Sequence, residues 1–151
     1  MKALIVYDSV YGNTEKIARA IAGAITASIE VKILHAGEVN PSELKSIDLL
    51  VVGSPTQGGK PTKAIQEFLS KIPANSLKNV SVASFDTRMT MIIARLFSYA
   101  AGSIANSLKT QGGHPAAPPE GFIVNGREGP LKDGELERAA RWAKGIVEAR
   151  K

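Results

Sequence analysis

Hydrophobic and polar positions alternate along this chain in two distinct rhythms. Lys2 to Asp8 is a short apolar run without an internal break. Past Gly12 the rhythm changes, and Ile17, Ile21 and Ile25 recur at i, i+4 and i+8, with Ala18 and Ala24 widening the stripe. That spacing predicts an amphipathic helix, with Glu15 suited to the positive end of its dipole. From Ile29 to Leu34 apolar and polar residues alternate, as in a strand with one wetter face at a sheet edge. Asn40-Pro41-Ser42-Glu43 reads as a capped single turn. Asp48 to Ser54 is apolar after its first residue, the pattern of a central parallel strand covered on both faces.

The second half repeats the alternation. Ile65, Phe68, Leu69 and Ile72 mark a helix ending at Pro73, and Val80 to Phe85 is the next strand. Ile93, Phe97, Ala100, Ile104 and Leu108 form a long helical stripe that Gly112-Gly113 stops. Pro115 to Pro119 suits an extended entry to a last strand, Gly121 to Asn125. Leu136, Ala139, Ala140, Ala143, Ile146 and Val147 line a closing helix, where Glu137 sits four residues before Arg141. Five strands alternating with helices imply parallel βαβ units with right-handed crossovers. The expected fold is α/β, a three-layer doubly wound sandwich, formed as one domain over residues 1–151.

Composition narrows the chemistry. The chain has 151 residues and no cysteine, which removes disulfides, iron–sulfur clusters, thiolate zinc sites and cysteine nucleophiles. His35 and His114 lie far apart and match no metal-ligand spacing, so both are expected at solvent-facing or turn positions. No run approaches the about 20 apolar residues of a membrane span, and no signal-peptide core opens the chain. A cytoplasmic location is expected. The formal charge is +5, but the basic residues are scattered and aromatics are few, so nucleic acid is not an expected partner.

In open α/β sheets ligands bind beyond the carboxyl ends of the strands, at the topological switch point. The loops after the first, third and fourth strands therefore hold the candidate chemistry. Asp8-Ser9-Val10-Tyr11-Gly12-Asn13-Thr14 joins a buried strand to a helix, and three hydroxyl or amide side chains surround one glycine. Helix N-termini offer unpaired N–H groups and a positive dipole end to anions. With no lysine and no Walker pattern, a phosphomonoester held by neutral donors fits better than a nucleoside triphosphate. Helix capping alone is the simpler alternative.

Tyr7-Asp8-Ser9-Val10-Tyr11-Gly12-Asn13-Thr14-Glu15-Lys16-Ile17-Ala18 resembles the phosphate loop of the flavodoxin family, especially the flavodoxin-type modules of larger flavoproteins. The likeness continues in Val51-Val52-Gly53-Ser54-Pro55-Thr56, and the order of elements matches to the end of the chain. The resemblance implies a five-stranded parallel sheet in order 2-1-3-4-5 and one bound FMN. It implies that Ser9, Val10, Tyr11, Gly12, Asn13 and Thr14 wrap the FMN phosphate. Pro55, Thr56, Gln57, Gly58 and Gly59 would approach the isoalloxazine. Gly58-Gly59 suits a peptide flip that accepts a hydrogen bond from reduced flavin N5, or it is a plain turn.

The third loop, Phe85 to Met91, contributes Asp86, Thr87, Arg88 and Met89 to the expected site. It departs from the family in having no aromatic after Phe85, which is expected to end its strand in the core. Met89 or Met91 could cover the ring instead. Arg88 could reach the pyrimidine edge or pair with Asp86. The charge departs as well, because flavodoxins are typically acidic. Lys60, Lys63, Arg88 and Arg95 fall near the cofactor end, which should stabilise an anionic reduced flavin and favour acidic redox partner proteins. The resemblance thus implies an electron carrier. An FMN-dependent oxidoreductase, such as a quinone reductase or oxidase using Phe97 and Tyr99 in a substrate pocket, is a second reading. A related module without flavin is a third. A signalling receiver domain shares the topology but needs paired acids after the first strand, where only Asp8 stands.

Overall fold

The computed structural model describes residues 1–89 and 99–150. In chain order they form β1 (Lys2–Tyr7), α1 (Asn13–Ile25), β2 (Glu30–His35), β3 (Leu49–Pro55), α2 (Lys63–Ser70), β4 (Ser81–Met89), α3 (Ala100–Thr110), β5 (His114–Pro115), β6 (Glu120–Val124) and α4 (Glu135–Arg150). Every strand pair is parallel, and the sheet runs β2-β1-β3-β4-β5, with β6 also pairing β4.

The apolar strand runs feed two cores by simple alternation. Ala3, Ile5, Leu49, Val51, Ala83 and Phe85 face a layer containing α1 and α4. Leu4, Val6, Leu50, Val52 and Val82 face a layer containing α2 and α3. Because successive side chains point to opposite faces, a strand buried on both sides shows no polar rhythm. Each fully buried Ile or Leu contributes about 1.5–3 kcal/mol. The edge position of β2 is borne out: it pairs β1 alone, and Val31 and Ile33 turn inward.

Two expectations need correction. β4 does not end at Phe85; it continues through Asp86, Thr87 and Arg88 to Met89, paired with β3 and then β6. Polar residues can occupy this stretch because Asp86 and Arg88, two apart, share a face and neutralise each other. The last strand is also split. Val82 pairs Pro115 and Phe85 pairs Glu120, so two strand residues stand opposite four. Pro118 and Pro119 fall in that gap, where the missing N–H groups cost no ladder bonds.

The stripe positions Ile93 and Phe97 lie outside the described residues, as do Met91 and Arg95. The remainder of the stripe is α3, where Ile104 and Leu108 are fully buried. Of the histidines, His114 is exposed in β5, and His35 is half-buried at the end of β2.

Candidate functional site

The loop after β1 is organised by short polar contacts. Asp8 accepts hydrogen bonds from the Ser9 N–H at 2.9 Å and from His35 at 2.8 Å. His35 Nδ1 accepts from the Gly37 N–H, so the ring proton sits on Nε2 and points at Asp8. Ser9 Oγ accepts from the N–H groups of Gly12 and Glu15, so Ser9 ties the loop to the first turn of α1. Gly12 is the N-cap in a left-handed conformation, with φ 93°, and offers no side-chain cap. A Cβ there would touch nothing, so glycine is needed for its φ alone. Among the described residues, the N–H groups of Val10, Tyr11, Asn13 and Thr14 have no hydrogen-bond acceptor. These orphans at a dipole's positive end form an anion cradle.

Buried side chains anchor the cradle to its neighbours. Thr14 and Thr87 hydroxyls meet at 2.8 Å between α1 and β4. Asn13 Nδ2 donates to the Glu128 carbonyl at 3.1 Å, holding the turn after β6 against α1.

The loop after β3 is equally built. Ser54 is fully buried; its hydroxyl donates to the Pro55 carbonyl and accepts from the Thr62 N–H. Gln57 and Lys60 exchange two backbone hydrogen bonds of 2.8 and 3.0 Å around Gly58-Gly59. Both glycines have positive φ, 56° and 80°, as a tight two-residue hairpin turn requires.

At the end of β4, Arg88 forks onto Asp86 with two bonds of 2.7 Å. Asp86 is fully buried and also accepts the Ala101 N–H at 2.9 Å. The Arg88 guanidinium lies 3.5 Å from the centroid of the Tyr99 ring, a close cation–π stack. Of the two roles open to Arg88, pairing with Asp86 is the one observed.

These three loops enclose a cavity of about 730 Å³. Its size falls within the roughly 300–1,000 Å³ of small-molecule sites. Val10, Tyr11, Asn13 and Thr14 line one end, and Pro55, Thr56, Gln57, Gly58 and Gly59 line a wall. Thr87, Arg88 and Met89 come from β4, with Tyr99 beside them. Twelve of the fifteen expected site residues therefore meet in one place. Ser9, Gly12 and Asp86 do not line it; Ser9 and Asp86 instead position residues that do. Lys60 and Lys63 are also absent from the lining and exposed.

Sequence reasoning missed Val124 and Arg127, and assigned Tyr99 only to a possible substrate pocket. Val124 pairs Met89 in register, and Arg127 rides on the turn that Asn13 holds. The Gly-Arg-Glu-Gly-Pro run at 126–130 is a turn signal, but only the tertiary contact brings it to the cavity. Among the described lining residues the charged ones are Arg88 and Arg127, and none is a carboxylate. Unpaired N–H groups at one end, with glycine backbone, Met89 and Tyr99 elsewhere, match an anionic tail joined to a flat ring.

Comparison with known proteins agrees with this geometry. The family model described as flavodoxin domain matches residues 4–111. Diflavin flavoprotein A 4 of Synechocystis sp. is 34% identical over 83 residues, 52% of this chain and 14% of that protein. The sulfite reductase [NADPH] flavoprotein alpha-component of Shigella dysenteriae is 34% identical over 86 residues, 54% of this chain. The matched segment spans 14% of that relative's length as well. In three dimensions the chain is similar to a flavodoxin from the domain Archaea, with a TM-score of 0.82, 23% identity and full coverage of both chains. With most of its length matched by the family model, the chain belongs to the flavodoxin-domain family, whose cofactor is FMN.

Proposed function

We propose that this chain holds FMN in the 730 Å³ cavity and carries electrons between redox partners in the cytoplasm. The observation that supports the reading best is the pairing, in one cavity, of an orphaned helix N-terminus with a glycine-turn wall and an aromatic. The N–H groups of Val10, Tyr11, Asn13 and Thr14 would bind the phosphate. Gly58-Gly59, Met89 and Tyr99 would flank the ring, Tyr99 supplying the aromatic that the expected third loop lacked. When bound, the flavin supplies one- and two-electron chemistry; the protein supplies binding and electrostatics.

The cavity mouth also suits a protein partner. Val10, Tyr11 and Met89 are each 44–52% exposed there. An apolar rim with Arg127 in the cavity lining and no lining carboxylate among the described residues fits a partner that surrounds its own redox centre with carboxylates.

A specific observation favours a second reading. The relatives named above are longer flavoproteins in which the matched segment is a small part. By that reading the chain serves as the FMN module of a larger oxidoreductase system. Steady-state NAD(P)H oxidation by the purified chain alone separates an enzyme from a carrier. The cofactor itself is tested by visible absorbance after FMN loading and gel filtration. Flavin bands that travel with the protein are expected. Added FMN that stays fully fluorescent and elutes separately would leave a flavodoxin-like module without flavin.

A further inference from the structure

We propose that Arg127 is the ionic contact to the cofactor's phosphate and makes the site selective for a phosphorylated flavin. The inference rests on the cofactor reading above and adds to it a residue and a specificity. The cradle at the start of α1 contains only neutral donors, as far as its own loop is concerned. A phosphomonoester is close to a dianion near neutral pH, and neutral N–H groups with a helix dipole offset only part of that charge.

Arg127 lines the same cavity from a different element, the turn between β6 and α4, at an exposed position. That turn is built to stay in place. Asn125 N–H donates to the Pro130 carbonyl at 2.9 Å, and Gly129 N–H donates to the Gly126 carbonyl at 3.0 Å. Asn13, itself in the cradle and 7% exposed, bonds the Glu128 carbonyl. Gly129 has φ 108°, and a Cβ there would come within 2.8 Å of the Asn13 amide, so the turn packs directly on that side chain.

Arg127 therefore sits one residue from a direct contact with the helix N-terminus, and it lines the cavity. Its charge is not otherwise engaged: among the described residues it has no carboxylate partner. This distinguishes it from Arg88, whose fork is filled by Asp86. A guanidinium turned from this position toward the unpaired N–H groups would match the bidentate geometry of phosphate oxygens.

The test compares two ligands on three proteins. FMN and riboflavin differ only by the phosphate. Flavin fluorescence quenching gives the Kd of each for wild type, Arg127→Gln and Arg127→Lys. Arg127→Gln is expected to weaken FMN about tenfold or more and leave riboflavin unchanged, the loss of one charge-assisted hydrogen bond. Arg127→Lys should keep part of the preference and show a steeper salt dependence. Equal weakening of both flavins, or no change in either, overturns the assignment. Wild-type protein that binds neither flavin overturns the cofactor reading and this inference together, whereas wild-type binding with an unmoved FMN-to-riboflavin ratio overturns this inference alone. Circular dichroism and unchanged riboflavin binding report that the variants are folded.

Discussion

Asp86 carries a full charge into a position with no exposed surface. Three donors make that tolerable: two from Arg88 and one from Ala101. Removing one member of such a pair leaves the other stranded, whereas removing both together does not. Asp86→Ala is expected to destabilise the protein by about 2–4 kcal/mol, below the usual range because Arg88 is partly exposed. The double variant Asp86→Leu, Arg88→Met should recover most of the loss. Urea unfolding midpoints check both. A single variant within about 0.5 kcal/mol of wild type would contradict this account of the pair. In the sequence Asp86 and Arg88 are simply two charges after an apolar run. Nothing in their spacing distinguishes a solvated loop from a neutralised strand, so the end of β4 was not legible there.

At the scale of elements, the start of α4 is fastened to β6 by a single charged junction. Glu135 accepts the Ile123 N–H at 2.7 Å and two bonds from Arg138. Arg138 also reaches Glu120 and lies over the Phe122 ring, 4.5 Å from its centroid. The Arg138 hydrogen bonds hold the Glu135 carboxyl below its ordinary range, against the opposing effect of burial. A carboxyl whose folded-state pKa is depressed adds stability above its unfolded value, about 4.3, and loses it as pH falls through the lower folded value. Glu135→Gln should therefore cost stability at pH 6 and cost distinctly less below pH 4. Denaturation midpoints at the two pH values decide it, and a constant gap would contradict the linkage. The elements themselves were largely legible, because continuous apolar runs and i, i+4 stripes are direct products of two-sided and one-sided burial. The break between β5 and β6 was not, since an extended proline segment reads alike whether or not it stays in register.

At the scale of the molecule, the +5 charge takes a different meaning from the one its sequence positions suggest. Lys60 and Lys63 do not line the cavity and Arg88 is neutralised, so among the described residues Arg127 is the unpaired lining cation, and no lining carboxylate opposes it or the more distant cations. Positive potential should ease the addition of negative charge to a bound flavin. In the FMN-loaded protein, the variant Lys60→Glu, Lys63→Glu is expected to lower the more reducing couple on the order of tens of mV at low salt. Added salt should shrink the shift. A redox titration at two ionic strengths measures it, and identical potentials would remove charge as an explanation for this protein's tuning.

The aromatic side of the core offers a practical consequence. Phe85, Phe122 and Trp142 meet edge to face in all three pairings, with centroids 6.0–6.2 Å apart, bringing β4, β6 and α4 together. Trp142 is the chain's one tryptophan. The wavelength of its ultraviolet emission, which moves to the red when the indole meets water, is thus an optical probe of that layer, to be read beside the visible emission of a flavin released from the cavity. In a two-state transition the two colours change together. If the loops let go of their ligand before the layer melts, the tryptophan signal lags behind, and the order of events becomes visible without a label.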